Sequence, residues 1–252
     1  MRLGIMQPYF FPYIGYFQLM RAADRWIAFD RVQFIDKGWI NRNRVLHPER
    51  EKEWQYITVP LAKRGQFDRI CDISIKSEID WRTQILGKLT AYKNKAPYYR
   101  ETVKFLQYCF DTNATDLASV VISILEKTAI HLGIETPIEA QSKMNLSLGE
   151  INHPGQWALR ISEVLKADEY INPLNGRSIF RKEEFEAANI ELSFLEPVLP
   201  SYARSNEPFV SGLSIIDVLM FNDLATCRNM INQYSLKKET FQVGEDTSRP
   251  DA

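Results

Sequence analysis

The residues best suited to chemistry are concentrated between positions 7 and 44. Six aromatic side chains fall within nine residues, around Pro8 and Pro12, and a hydrophobic core alone does not require that density. Aromatic walls with a few convergent polar groups are typical of small-molecule pockets. We therefore predict a ligand site in which Gln7 donates or accepts hydrogen bonds and the walls are formed by Tyr9, Tyr13 and Tyr16.

A second group of polar and aromatic residues follows Asp30. Arginine makes bidentate contacts with phosphate oxygens, amides match sugar hydroxyls or a nucleobase, and tryptophan stacks on either ring. Asp30 suits a general base for an amine or hydroxyl nucleophile. The alternative is that Asp30 caps a turn and the arginines pair with surface carboxylates. The binding candidates are Gln33, Lys37, Trp39, Asn41, Arg42, Asn43 and Arg44.

Further candidates lie in the second half of the chain. His153 precedes a predicted helix and has a side chain that titrates near neutrality, so it is a candidate for acid–base catalysis, or else a capping residue. Arg160 lies two helical turns further on, where it would reach the same ligand or form an ion pair. Asn172 ends a predicted strand and would close the site opposite Gln7, or belong to an ordinary turn.

Several familiar motifs are absent or have a structural explanation. Ser214 and Asp217 have the spacing of a helix capping box, and we infer no Ser-His-Asp triad from them. The sequence contains no P-loop, no GxGxxG after a strand, and no HExxH or Cys/His metal spacing. It therefore predicts no metal and leaves any cofactor unknown.

The predicted elements place these residues on an α/β framework. A buried strand at 3–6, a proline-bounded loop, a helix at 16–23 and a strand at 26–29 form one α/β unit. Ligands of such folds collect at the carboxyl ends of strands, where Gln7 and Asp30 would both lie. The predicted fold is α/β, with a Rossmann-like, mostly parallel sheet and a helix-rich insertion or second half.

The rest of the chain continues the alternation of strands and helices. We predict strands at 56–59, 69–75, 170–171 and 190–194, and helices at 80–92, 97–110, 117–132, 154–166, 181–188 and 214–221. Residues 1–238 are predicted to form one domain, in which 80–135 is a helical subdomain or insertion. The polar segment 239–252 is predicted to be a disordered tail.

Composition limits the classes of partner. The 252 residues carry a net charge of −1, so nothing favours nucleic-acid binding. The sequence has no apolar run long enough to span a membrane and no secretory signal. Its three cysteines are widely spaced, as expected of free thiols in a reducing compartment. These features predict a soluble, cytoplasmic protein.

The motifs read so far resemble the WbqC-like protein family. The resemblance is carried by 6–17, by 30–34 and 39–43, and by the later segments 153–161, 169–176 and 213–219, and it spans roughly residues 3 to 235. The family is named from bacterial gene clusters that build surface polysaccharide, often beside enzymes for amino sugars. That setting implies a transferase of O-antigen (lipopolysaccharide) biosynthesis that acylates or aminoacylates an activated amino sugar.

Three functions remain open from the sequence. The first is N-acylation or N-aminoacylation of a nucleotide-linked amino sugar, with Asp30 or His153 as base and an acyl carrier protein or coenzyme A as donor. The second is a non-catalytic module that binds a nucleotide sugar or a protein. The third is a nucleotidyltransferase-like enzyme, although Tyr13 and Tyr16 stand where that fold carries its two histidines.

Overall fold

A computed structural model describes residues 1–204 and 209–239. Within them, a mostly parallel sheet has the strand order β5-β2-β1-β6-β7-β8, and only β8 runs antiparallel to its neighbour. A separate antiparallel pair joins β3 to β4. The strands are β1 (Arg2–Met6), β2 (Arg25–Ala28), β3 (Arg42–Leu46), β4 (Trp54–Thr58), β5 (Ile138–Ala140), β6 (Glu169–Pro173), β7 (Glu191–Pro197) and β8 (Tyr234–Lys238).

Helices cover the sheet, and several begin at a residue that binds their first turn. The side chains of Asp80, Asp116 and Asp223 each accept a hydrogen bond from the backbone amide three residues on, which satisfies a donor that the helix leaves free. The helices are α1 (Ile14–Ala22), α2 (Trp81–Lys88), α3 (Tyr99–Phe110), α4 (Leu117–His131), α5 (Gln156–Val164), α6 (Lys182–Ala187), α7 (Ile215–Phe221) and α8 (Leu224–Ile231).

Alternation along the strands divides the interior into two cores. In β2, Trp26 and Ala28 belong to a large core with α1–α4, α7 and α8, whereas Ile27 belongs to a smaller core with α5 and α6. The same alternation places Ile171 in the large core and Tyr170 in the small one. Because successive strand side chains point to opposite faces, both faces of the sheet are covered. The α/β, Rossmann-like prediction is confirmed.

Not every predicted element is present. The strand predicted at 69–75 is wrong: Ile70–Asp72 is a 3-10 turn, and only isolated bridges flank it. His153 does not cap α5, whose N-cap is Gly155 and has no side-chain bond. The sequence prediction also missed β3, β5, β8 and α8. The segment predicted as a disordered tail, 239–252, lies outside the described residues except for Glu239, whose carboxylate accepts a hydrogen bond from Arg177.

The helix-rich stretch 80–135 contributes to the large core. Buried residues of α2, α3 and α4, such as Trp81, Leu106 and Leu125, belong to the same cluster as Trp26 of the sheet. No helix in the described ranges is both long enough and apolar enough to cross a membrane.

Candidate functional site

The sheet has a topological switch point between β1 and β6. From β1 the chain passes through α1 to β2 on one side, whereas β6 lies on the other side and leads outward to β7. Open α/β sheets bind ligands outside the carboxyl ends of the strands at such a point. Here those ends are Met6 and Pro173, and both residues line two neighbouring cavities.

The first cavity, the Arg44 cleft, is lined chiefly by aromatic and proline side chains. Its volume is ≈ 410 Å³, within the usual range of small-molecule sites. Arg44 is the one charged residue among its described lining residues, so no carboxylate there neutralises it. The other lining residues include Tyr9, Pro12, Tyr13, Trp39, Asn43, Pro173, Asn175, Pro197 and Leu199.

Arg44 is held in place by stacking more than by hydrogen bonds. Its guanidinium carbon lies 5.2 Å from the ring centroids of both Trp39 and Trp54. One terminal nitrogen donates to the carbonyl of Gly212 at 3.2 Å. The buried Nε has no hydrogen-bond partner in the described structure. A guanidinium that is held in place at the wall of a cleft is suited to binding an anionic oxygen.

Two tyrosines add neutral donors to this cleft. Burial raises the pKa of both Tyr9 and Tyr13, so their hydroxyls stay protonated at neutral pH and can donate to a ligand oxygen. Tyr16 also contributes to the lining but is only 2% exposed. Its hydroxyl donates to the carbonyl of Gln7 at 3.0 Å, which fixes the loop that follows β1.

Comparison with known proteins agrees with the family resemblance of these motifs. The model of the WbqC-like protein family matches residues 7–229. The chain belongs to the WbqC-like protein family. It is also 24% identical over 223 residues, 88% of this chain and 93% of the other, to "Uncharacterized protein Rv1507c" of Mycobacterium tuberculosis (strain ATCC 25618 / H37Rv). No solved structure matches.

In this WbqC-like chain, three of the predicted ligand-binding residues hold the loops of the site. The Asn43 amide donates to the carbonyls of Phe10 and Phe11, both at 3.0 Å, and thereby stabilises Phe11 at a positive φ of 41°. Asn41 donates to the carbonyl of Val59 at 3.0 Å. Arg42 donates to two carbonyls of the preceding loop and stacks 4.1 Å from the Tyr56 ring.

Lys37 and Gln33 lie outside both cavities at the switch point. Both residues are exposed, and Gln33 donates to the carbonyl of Gln66 at 3.0 Å. Gln7 and Asn172 line the second cavity instead of the Arg44 cleft. Asn172 accepts from the hydroxyl of Tyr170 at 2.9 Å, so its carbonyl oxygen is already engaged.

The two proposed catalytic residues do not share a cavity with Arg44. Asp30 is 1% exposed, and its two oxygens accept from the backbone amide and hydroxyl of Ser142 at 2.8 and 2.5 Å. It lines a separate polar cleft at the ends of β2 and β5, together with Arg69, Asp116 and Glu126. Its bonds to Ser142 fix the segment after β5 to the end of β2.

His153 and Arg160 each pair with a glutamate. The Nε2 atom of His153 lies 2.9 and 3.0 Å from the carboxylate oxygens of Glu184 in α6. This contact connects the segment before α5 to α6. Arg160 donates to Glu163 at 2.8 Å. Arg160 lines another surface cavity, and His153 lines neither of the two at the switch point.

The capping-box prediction for Ser214 and Asp217 is half right. Ser214 accepts from the amide of Ile216 at 3.2 Å and caps α7, but its own amide donates to the carbonyl of Arg44 and not to Asp217. Asp217 is fully buried and lies 2.5 Å from Arg204. Its spacing from Ser214 matched a cap, so this ion pair could not be predicted from the sequence pattern.

Proposed function

We propose that this WbqC-like chain binds a nucleotide-linked amino sugar in the Arg44 cleft and transfers an acyl or aminoacyl group to the sugar amine. The proposed setting is bacterial surface-polysaccharide (O-antigen) biosynthesis, as the family resemblance implies. The observation that carries the proposal is the guanidinium of Arg44 at the switch point of the sheet, which is the one charged group among the described lining residues of the cleft.

The cleft matches the chemistry of such a substrate. The guanidinium of Arg44, which lines the cleft, suits one or two oxygens of a diphosphate. Tyr9 and Tyr13 offer protonated hydroxyls, and Trp39 and the prolines offer flat apolar walls to a sugar or base ring. Asn43 and Asn41 contribute by fixing the loops, because their amides already bind backbone carbonyls.

The proposed reaction joins two bound substrates. The neutral sugar amine attacks the carbonyl carbon of an acyl thioester, the C–N bond forms, the C–S bond breaks, and the thiolate leaves with the proton that the amine loses. No carboxylate or imidazole of the described residues lines the two cavities at the switch point. The rate gain would then come mainly from holding the two reactants together.

The first test is ligand binding to the purified protein and to Arg44→Gln. We expect UDP-linked amino sugars to raise the melting temperature of the parent protein, and Arg44→Gln to weaken their binding roughly tenfold to a hundredfold, as for loss of a charged hydrogen bond. Arg100→Gln on the exposed side of α3 is the matched control, because Arg100 lines neither cavity at the switch point. Equal affinity for all three proteins would contradict the proposal.

A non-catalytic nucleotide-sugar-binding module is the second candidate. The observation that favours it is that Asp30 and His153, the best acid–base candidates, are bound to Ser142 and Glu184 away from the Arg44 cleft. Thiol release from an acyl thioester, measured with and without the amino sugar, separates the two functions. Binding without release supports the module, and amine-dependent release supports the transferase.

A further inference from the structure

The second cavity at the switch point is an apolar slot on the other face of the sheet. Its volume is ≈ 450 Å³, and none of its described lining residues is charged. Ile5 and Tyr170 come from the sheet, and Trp157 of α5 packs against Phe29 at 5.7 Å between ring centroids. At its rim Ile35 and Ile179 are 57% and 49% exposed, so apolar surface also faces solvent there.

The slot and the Arg44 cleft share one wall. Met6, Tyr9, Pro173 and Asn175 line both cavities. Two ligands bound on either side would therefore meet at the carboxyl ends of β1 and β6. Gln7, which follows Met6, lines the slot beside this wall and offers an amide donor to a carbonyl oxygen there.

The lining of the slot discriminates between kinds of second substrate. An ammonium group removed from water needs a carboxylate, and a phosphate needs a cation. The slot supplies no charge of either sign, and the carbonyl oxygen of Asn172 is engaged by Tyr170. A neutral hydrocarbon chain can enter the slot without bringing in a polar group that would lack a partner there.

We infer that the slot binds the acyl chain of an acyl thioester donor, so that the transferred group is acyl and not aminoacyl. This inference rests on the proposed function and makes it more specific. The thioester carbonyl lies at the shared wall, the chain lies in the slot, and the amino sugar approaches from the Arg44 cleft. The bonds made and broken are those of the proposed reaction: C–N forms, C–S breaks, and the thiol leaves protonated.

The test uses N-acetylcysteamine thioesters, which need no carrier protein. We expect affinity to rise about fourfold for each methylene from butyryl to octanoyl, as for burial of a hydrocarbon chain. The hexanoyl thioester is expected to bind at least roughly tenfold more tightly than its 2-aminohexanoyl counterpart, which differs by one ammonium group. Calorimetry or a thermal-shift titration measures both series.

Charged substitutions at the rim locate the binding site. Ile35→Asp and Ile179→Asp change exposed residues and are expected to weaken octanoyl binding about tenfold, whereas Ile130→Asp on α4, 71% exposed and remote from the slot, serves as the matched control. Affinity that is independent of chain length, or a 2-aminohexanoyl thioester that binds as tightly as hexanoyl, overturns the inference. The inference is also overturned if Ile35→Asp and Ile179→Asp bind the octanoyl thioester as tightly as the control Ile130→Asp does.

The sugar titration keeps this result separate from the proposed function. If amino-sugar binding depends on Arg44 but chain length has no effect, only the acyl slot is wrong. If chain length matters but no amino sugar binds, the slot remains and the acceptor is wrong.

Discussion

Asp217 shows how much one residue in the interior can depend on its partners. Its carboxylate is fully buried and accepts hydrogen bonds from Tyr92 at 2.8 Å and Tyr202 at 2.5 Å, beside the guanidinium of Arg204. Tyr92 in turn accepts from the backbone amide of Leu46 in β3 at 2.6 Å. The cluster therefore connects α7 to the strand that carries Arg44.

Removing the charge of Asp217 is expected to destabilise the fold strongly. Asp217→Asn removes the buried negative charge that pairs with the guanidinium of Arg204, and loss of one partner of a buried pair costs about 3–5 kcal/mol. Urea unfolding followed by circular dichroism measures the change. Asp36→Asn is the control: Asp36 pairs with Arg64 but is 72% exposed, so a loss below about 1 kcal/mol is expected. Equal losses in the two variants would contradict this account.

At the residue scale, the sequence predicted a stretch that contributes several residues to the lining of one cavity, but it did not predict what each side chain contacts. Tyr9, Tyr13, Trp39 and Arg44 line the Arg44 cleft, and their binding of a ligand stays a prediction. Asn43 lines it too, but its amide binds backbone carbonyls. The sequence does not show whether an asparagine side chain binds a ligand or a backbone carbonyl of a loop, because that depends on the fold around it. The roles of Asp30 and His153 in catalysis stay predictions.

Among the elements, β1 ends at Met6, which lines both cavities at the switch point. Within β1, Gly4 lies close to a buried tryptophan. β1 is paired on both sides, with β2 and with β6. A Cβ atom at Gly4 would lie 2.6 Å from Cε3 of Trp26, whose side chain is fully buried. A strand bonded to two neighbours has little freedom to move away.

Gly4→Ala is therefore expected to lower the free energy of unfolding by about 1–3 kcal/mol, the usual cost of overpacking a core. Gly87→Ala is the matched control: Gly87 lies in α2 and a Cβ there meets nothing within 4 Å. Alanine is the better helix former by roughly 0.5–1 kcal/mol, so this variant should gain stability. Relative to the parent protein, the urea midpoint is expected to fall for Gly4→Ala and to rise for Gly87→Ala. A Gly4→Ala protein as stable as the parent would refute the packing argument.

Elements with a clear hydrophobic period were predicted, and several elements with a polar or irregular pattern were missed. The helix predicted at 117–132 corresponds to α4, which begins at the Asp116 cap and is followed by Gly133 at a positive φ of 75°. β3 was missed because Arg42–Leu46 is polar at three of its five positions and gains its strand form by pairing with β4. The segment 69–75 has spaced isoleucines, but its turn geometry is set by bridges to distant residues.

At the scale of the whole molecule, the strand order brings residues far apart in sequence to one edge. β1 and β6 are neighbours although α1 to α5 lie between them in the chain. The alternation of strands and helices predicted a parallel sheet, but not which two strands flank the switch point. The shared wall of the two cavities, formed from 6–9 and 173–175, could therefore not be predicted from sequence.

Buried acidic groups that keep their protons make the whole fold sensitive to alkali. Burial raises the pKa of Cys109 and Cys227 to about 12, above an ordinary value of 9.0. Burial also raises the pKa of Tyr92 and Tyr170 above 10.0, and the charge of Asp217 adds to the rise at Tyr92. Between the unfolded and folded values, the folded state holds more protons than the unfolded state.

Stability is consequently expected to be constant up to about pH 8.5 and to fall as pH rises further, by about 1.4 kcal/mol per pH unit for each such group. Urea midpoints at about pH 7.5, 9.5 and 10.5 measure the slope, and Cys109→Ala should reduce it because one titrating group is gone. Ultraviolet titration of the folded protein provides a second measurement. If all its tyrosines ionise near pH 10.0, or if the midpoint does not change up to about pH 10.5, these buried groups do not control alkaline unfolding.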